Sequence, residues 1–123
     1  LAAACSLIPL TGCSLAPKNF QAINHPAPIV RARAVSLSNR ARAEVAIPAL
    51  IQKLDDPDPV VRMAAYDELK QKTGQDFGFV AWADAAERKP AVDQYKAWWA
   101  ANSNVRMVRD KELRRAGRRV ARW

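Results

Sequence analysis

The feature that most restricts this chain is Pro57-Asp58-Pro59. Proline has no backbone N–H, confines φ to one narrow range, and pushes the residue before it out of the α region. No regular helix runs through two prolines one residue apart, yet both flanks carry a helical pattern. Before the turn, Ile47, Leu50, Ile51 and Leu54 fall at i, i+3, i+4 and i+7, one face of an α-helix. After it, Val61, Ala65 and Leu69 form a second stripe with Ala64 beside it. Asp58 is placed to N-cap this second helix, with Pro59 as its first residue. At Thr73-Gly74, glycine supplies a left-handed stop. The prediction is a helical hairpin with a short, rigid turn.

Composition agrees with helices. The chain has 123 residues, enough for one domain. Alanine is nearly as frequent as Leu, Ile, Val and Phe together, so the core is thin and built from small side chains. Few β-branched runs are present, which argues against a sandwich or barrel.

A weak internal repeat is visible. Val30, Arg31 and Ala34 match Val61, Arg62 and Ala65 at one constant offset. The stretch Ala46 to Leu69, with Pro48 early in the first helix, acids in the turn and Val61-Arg62 opening the second helix, is similar to a HEAT repeat. It resembles the short HEAT-like type associated with phycobilisome lyases. That resemblance implies a structural ladder in which Asp55 or Asp56 and Arg62 link neighbouring repeats. It also makes Val30 to Leu37 the second helix of a preceding, truncated repeat. The implied fold is all-α: a short α-solenoid fragment of about one and a half HEAT-like repeats, closed by an aromatic-rich capping helix.

The stretch after Thr73 departs from the repeat. Thr73 to Phe79 reads as a loop punctuated by Gly74 and Gly78. Pro90 then opens a third helix with Val92, Tyr95 and Trp99 at i, i+3 and i+7 and Trp98 alongside. This closing segment caps the open end of a solenoid. Phe77, Phe79, Trp82, Tyr95, Trp98 and Trp99 are expected as core aromatics, the alternative being a ligand groove lined by Trp82 and Trp98.

The inventory for catalysis is poor. His25 is the single histidine and sits before Pro26, where a solvated linker role outranks that of a general base. No serine–histidine–aspartate or histidine-based zinc arrangement can be assembled elsewhere. Asp55, Asp56 and Asp58 lack the glycine and distal glutamate of a calcium loop, so capping explains them and no metal is expected. No cofactor fingerprint is present. The family resemblance includes enzymes of bilin attachment, but none of their catalytic residues carries over to this chain.

The start reads differently. Leu1 to Leu10 is apolar or small apart from Ser6 and Pro9, and Leu10-Thr11-Gly12-Cys13 follows. This resembles the lipobox of bacterial lipoproteins, although residue 1 is Leu and no basic region precedes the apolar run. The resemblance implies cleavage before Cys13, acylation of its thiol, and attachment to the bacterial cell envelope on the periplasmic or extracytoplasmic side. Residues 1–12 are then a signal segment to be set aside in fold reasoning. Residues 13–28, holding Pro17, Pro26 and Pro28, read as a tether, 29–101 as the helical domain and 102–123 as a tail.

Charge concentrates in that tail. Residues 106–123 hold eight basic and two acidic groups, against 12 and 10 in residues 1–105. Leu113, Ala116, Val120 and Trp123 fall at i, i+3, i+7 and i+10, with Arg114, Arg115, Arg118, Arg119 and Arg122 around them. A solvated tail, a helix on an anionic membrane face and a polyanion-binding arm all fit this pattern. An exported chain rarely meets nucleic acid, so nucleic acid ranks below lipid. The expected function is therefore a non-catalytic, lipid-anchored scaffold or adaptor that binds another protein. Its contact face is expected at Gln52, Lys53, Tyr66 and Lys70. The alternative is membrane or nucleic-acid binding through the arginine-rich tail.

Overall fold

The prolines around Asp58 do separate two helices. A computed structural model describes residues 15–120, with backbone alone for 105–113 and 118–120. Its α-helices are α1 (Pro28–Val35), α2 (Ala43–Lys53), α3 (Pro59–Thr73) and α4 (Ala85–Val120), with 3₁₀ turns at Phe20–Asn24 and Ser36–Arg40. Among the described residues there is no strand. The described part is all-α, with the helical-hairpin architecture of the expected short α-solenoid fragment.

Local chemistry sets the ends of α3. Asp58 Oδ1 accepts the N–H groups of Val60 at 2.8 Å and Val61 at 3.3 Å, and Pro59 fills the first helical position. At the far end Gly74 takes φ 68°, which a side chain would strain, and its N–H reaches the Lys70 carbonyl at 2.9 Å. Ile47, Leu50 and Ile51 of α2 and Leu54 at its end are buried in one core with Ala65 and Leu69 of α3, and Val61 is fully buried at the start of α3. The repeat offset places α1 beside α3, so α1 and α3 pack together, α3 packs on α2, and α2 packs on α4.

Three expectations need correction. The first is the tether. From Phe20 onwards the segment belongs to the domain, because Phe20 and Ile23 are buried in the same core as Leu50 and Leu54. The second is the start of α4. Asp84, not Pro90, opens it: the Asp84 carboxylate accepts the Glu87 N–H at 2.9 Å, and Pro90 is the sixth helical residue. Pro48 holds the same place in α2, a position where only one intrahelical bond is lost. The third is the boundary between helical domain and tail at residue 102, next to Asn102-Ser103-Asn104. The helix runs through it to Val120, and the Asn102 amide donates to the Trp98 carbonyl at 2.7 Å, one turn back.

Residues 1–12, Cys13, Arg122 and Trp123 lie outside the described residues. No described helix is long and apolar enough to cross a membrane.

The cap of α3 yields a direct test. Asp58→Ala leaves two helix N–H groups without their acceptor and is expected to lower stability by about 1 kcal/mol in a urea melt. Leu69→Ala, at a fully buried site, is expected to lose about 3 kcal/mol.

Candidate functional site

Arginine is the residue that joins the repeats. Arg31 sends Nε and Nη2 to the two carboxylate oxygens of Asp56, both at 2.9 Å. Its Nη1 donates to the carbonyls of His25 at 2.9 Å and Pro26 at 2.8 Å. Arg62 repeats this pattern one repeat later: its Nη1 donates to the carbonyls of Asp56 at 2.7 Å and Pro57 at 3.1 Å. Its Nε reaches the Ala81 carbonyl at 2.6 Å, the place that the carboxylate of Asp56 takes for Arg31. Each guanidinium thus clamps its own turn and the next one.

Asp56 also accepts the Asp58 N–H at 3.0 Å and lies 3.7 Å from Lys53 Nζ. Burial pushes the Asp56 carboxyl up, but Arg31, the Asp58 N–H and Lys53 outweigh it and hold the group below its ordinary value. Burial lowers Arg62, with the neighbouring Arg88 charge adding to it, while Asp56, Asp58 and Asp55 oppose the shift. Asp55 is exposed and takes no part in the rung.

The same offset brings His25 onto Asp56. Its Nδ1 accepts the Ala27 N–H at 3.0 Å, as Asp56 accepts that of Asp58. The histidine read as a solvated linker residue is the exposed, structural counterpart of the ladder aspartate. A longer comparison at the same shift would have found this: Pro17, Pro26 and Pro28 match Pro48, Pro57 and Pro59. Reading the first three as tether residues concealed it.

The predicted contact face is divided by the fold. Gln52 is exposed, and Lys53 is partly buried against Asp56. Tyr66 is buried and does not belong to an outer face. Its hydroxyl donates to Asp76, its ring packs on Phe79 at 5.4 Å, and Lys70 Nζ lies 4.3 Å above it. Burial, reinforced by Asp76, raises the Tyr66 phenol to about 12. Tyr95 is also buried and raised, and its hydroxyl donates to the Gln75 carbonyl at 2.8 Å. Tyr66, Phe77, Phe79 and Tyr95 therefore fasten the loop after Gly74 to α3 and α4.

Trp82 departs from the expected cap. It is 73% exposed, and the depression that it lines does not include Trp98. With Pro59, Val60, Met63, Ala64 and Asp67 it lines an open apolar depression over α3. The turn that carries it is held from both sides: Arg62 binds the Ala81 carbonyl and Arg88 Nη1 the Ala83 carbonyl at 2.5 Å. Phe79 and Ala81 are buried and Val80 and Trp82 exposed, and Trp82 sits inside a turn closed by the Ala83 N–H on the Val80 carbonyl at 3.2 Å.

A second groove, of about 300 Å³, lies between α2 and α4, lined by Pro48, Ile51, Gln52, Asp55, Lys96 and Trp99. Among the described residues no three potential metal ligands come together. Arg114 and Arg115 are exposed on α4, and Arg118 and Arg119 lie on its backbone further along.

The rung predicts an acid-sensitive stability. A carboxyl depressed in the folded state contributes stability above its unfolded value, about 3.9, and that stability disappears as pH falls through the folded value. Asp56→Asn is expected to cost about 2 kcal/mol at pH 7. Urea melts from pH 7 down to pH 3 are expected to show the wild type and the variant converging.

No curated protein and no solved structure matches the chain. A family model described as HEAT repeats matches residues 16–77, half of the chain and two lengths of the repeat. The match begins beside Pro17 and ends in the loop that follows α3, so it covers both arginines and the turns before α1 and α3, and stops short of Ala81, on which Arg62 ends. With the ladder and the sequence match in agreement, the chain belongs to the HEAT repeat family.

Proposed function

We propose that this chain is a non-catalytic scaffold that binds a protein partner through the surface around Trp82, and that acylation of Cys13 holds it at a bacterial cell envelope. HEAT repeats suggest a protein-interaction scaffold, and the family is generally non-catalytic. The observation that carries the reading is the exposure of Trp82 at 73% on a turn clamped by Arg62 and Arg88. An exposed indole held on a fixed backbone loses little entropy on binding, and tryptophan is prominent among residues that dominate interface energies. Val60 and Met63, 62% and 40% exposed, extend the apolar area, and Asp67 stands at its rim. The absence of a histidine pair and the engagement of His25 by Ala27 support a role without turnover. The anchor rests on Leu10-Thr11-Gly12-Cys13 behind an apolar run.

A photo-crosslinking residue placed at position 82 is expected to capture one partner in the native cells, and the same residue at position 52 is not. Trp82→Ala is expected to weaken binding of that partner about 30-fold and to change stability by less than about 0.5 kcal/mol, as befits an exposed site. Equal affinity of wild type and variant would overturn the assignment of the surface. For the anchor, intact mass of membrane-extracted protein is expected to show a chain that starts at an acylated Cys13. An unmodified thiol in that fraction would refute acylation.

A further inference from the structure

We propose that the C-terminal part of α4 is a helical arm that lies on an anionic lipid surface. The starting point is length. α4 has 36 residues and spans about 54 Å, whereas α3, with 15, spans about 22 Å. Trp99 is partly buried against the core, and Asn104 is exposed. The sixteen residues from 105 to 120 add about 24 Å of helix beyond this point.

Register then distinguishes the two sides of the arm. Eighteen residues make five turns of an α-helix, so positions 18 apart lie on the same side. Position 113, a leucine, lies in line with Tyr95, which is fully buried, and position 116, an alanine, with partly buried Trp98. Positions 111, 114, 115, 118 and 119, all Lys or Arg, lie in line with residues 93, 96, 97, 100 and 101, all exposed. Positions 109 and 110, Arg and Asp, lie in line with buried Ala91 and Val92 and interrupt the apolar side at the root of the arm. From position 113 outwards the core-facing stripe continues as an apolar line, and the solvent side continues as a basic one. Arg114, Arg115, Ala116 and Gly117 are exposed.

Charge complementarity selects the occupant. Residues 106–123 carry eight basic and two acidic groups, which call for an anionic surface. A nucleic acid would take the arginines and leave the apolar line in water. A lipid interface takes both, the apolar side entering the acyl boundary while arginine stems extend to the headgroups. This inference does not rest on acylation of Cys13 or on the Trp82 surface.

The test is co-sedimentation of the full, unacylated chain with vesicles. Binding to mixed phosphatidylcholine–phosphatidylglycerol vesicles is expected to exceed binding to pure phosphatidylcholine and to fall as salt rises. The double variant Arg114→Gln, Arg115→Gln is expected to bind about 30-fold more weakly. Gly117→Pro keeps the charge but breaks the helix, and is expected to lose about tenfold. Circular dichroism of the variants, with unchanged domain melting, separates these losses from unfolding. Equal binding to both vesicle types would overturn the proposal. So would wild-type affinity in Gly117→Pro, or binding to duplex DNA at or above that to the anionic vesicles, since either result describes a bare polycation.

Discussion

The contact on which the rest of this fold depends is the fork of Arg31 across two turns. A guanidinium presents parallel N–H groups in a rigid plane, which matches a carboxylate on one edge and paired carbonyls on the other. That geometry fixes distance and orientation together. α1 has only eight residues and would not be stable alone. Its register against α3 is set where Arg31 joins the turn before α1 to the turn before α3. Arg62 then does the same for α3 and the loop after it. The apolar core supplies most of the driving force, but it is rich in alanine and weakly specific in shape. The arginine rungs give it one arrangement.

The functional surface is a by-product of that ladder. Because Arg62 ends on a backbone carbonyl of the Trp82 turn, the bond that stacks the repeat also holds the exposed indole. Structural and binding roles meet in one side chain. Substituting Arg62 would disturb both, whereas substituting Trp82 separates them. The aromatic loop between Gly74 and Phe79 secures the other side, with Asp76 accepting both the Tyr66 hydroxyl and the Gly78 N–H.

Much of the fold was legible in the residues. The α2 stripe, the Asp58 cap, the two prolines and Gly74 are local signals, and each acts within a few residues of its cause. What stayed hidden depended on distant partners. Phe20 and Ile23 are a single i, i+3 pair, too short to read as a period, and their burial comes from packing on α1 and the core. Pro26 and Pro28 read as spacer residues until they are paired with Pro57 and Pro59. Asn102 to Asn104 carries low helix propensity, yet a helix already packed through Tyr95 and Trp99 extends across it at little cost. Of the candidate site, the ladder aspartate was legible as one of two, and Tyr66 was misplaced because a tyrosine on a polar stretch looks exposed. The exposure of Trp82 comes from the turn Val80 to Ala83, which holds no glycine or proline to mark it.

The length of α4 has a mechanical side. A helix of one piece transmits rotation, so whatever tilts its half packed on α2 moves its C-terminal half as a lever. With an arm of about 24 Å, rocking of about ten degrees at the root would sweep the tip through about 4 Å. The groove at that root, between Pro48 and Trp99, is where such rocking would be felt first. An event on the body of the repeat and one at the tip of the helix are therefore joined by a single stiff element.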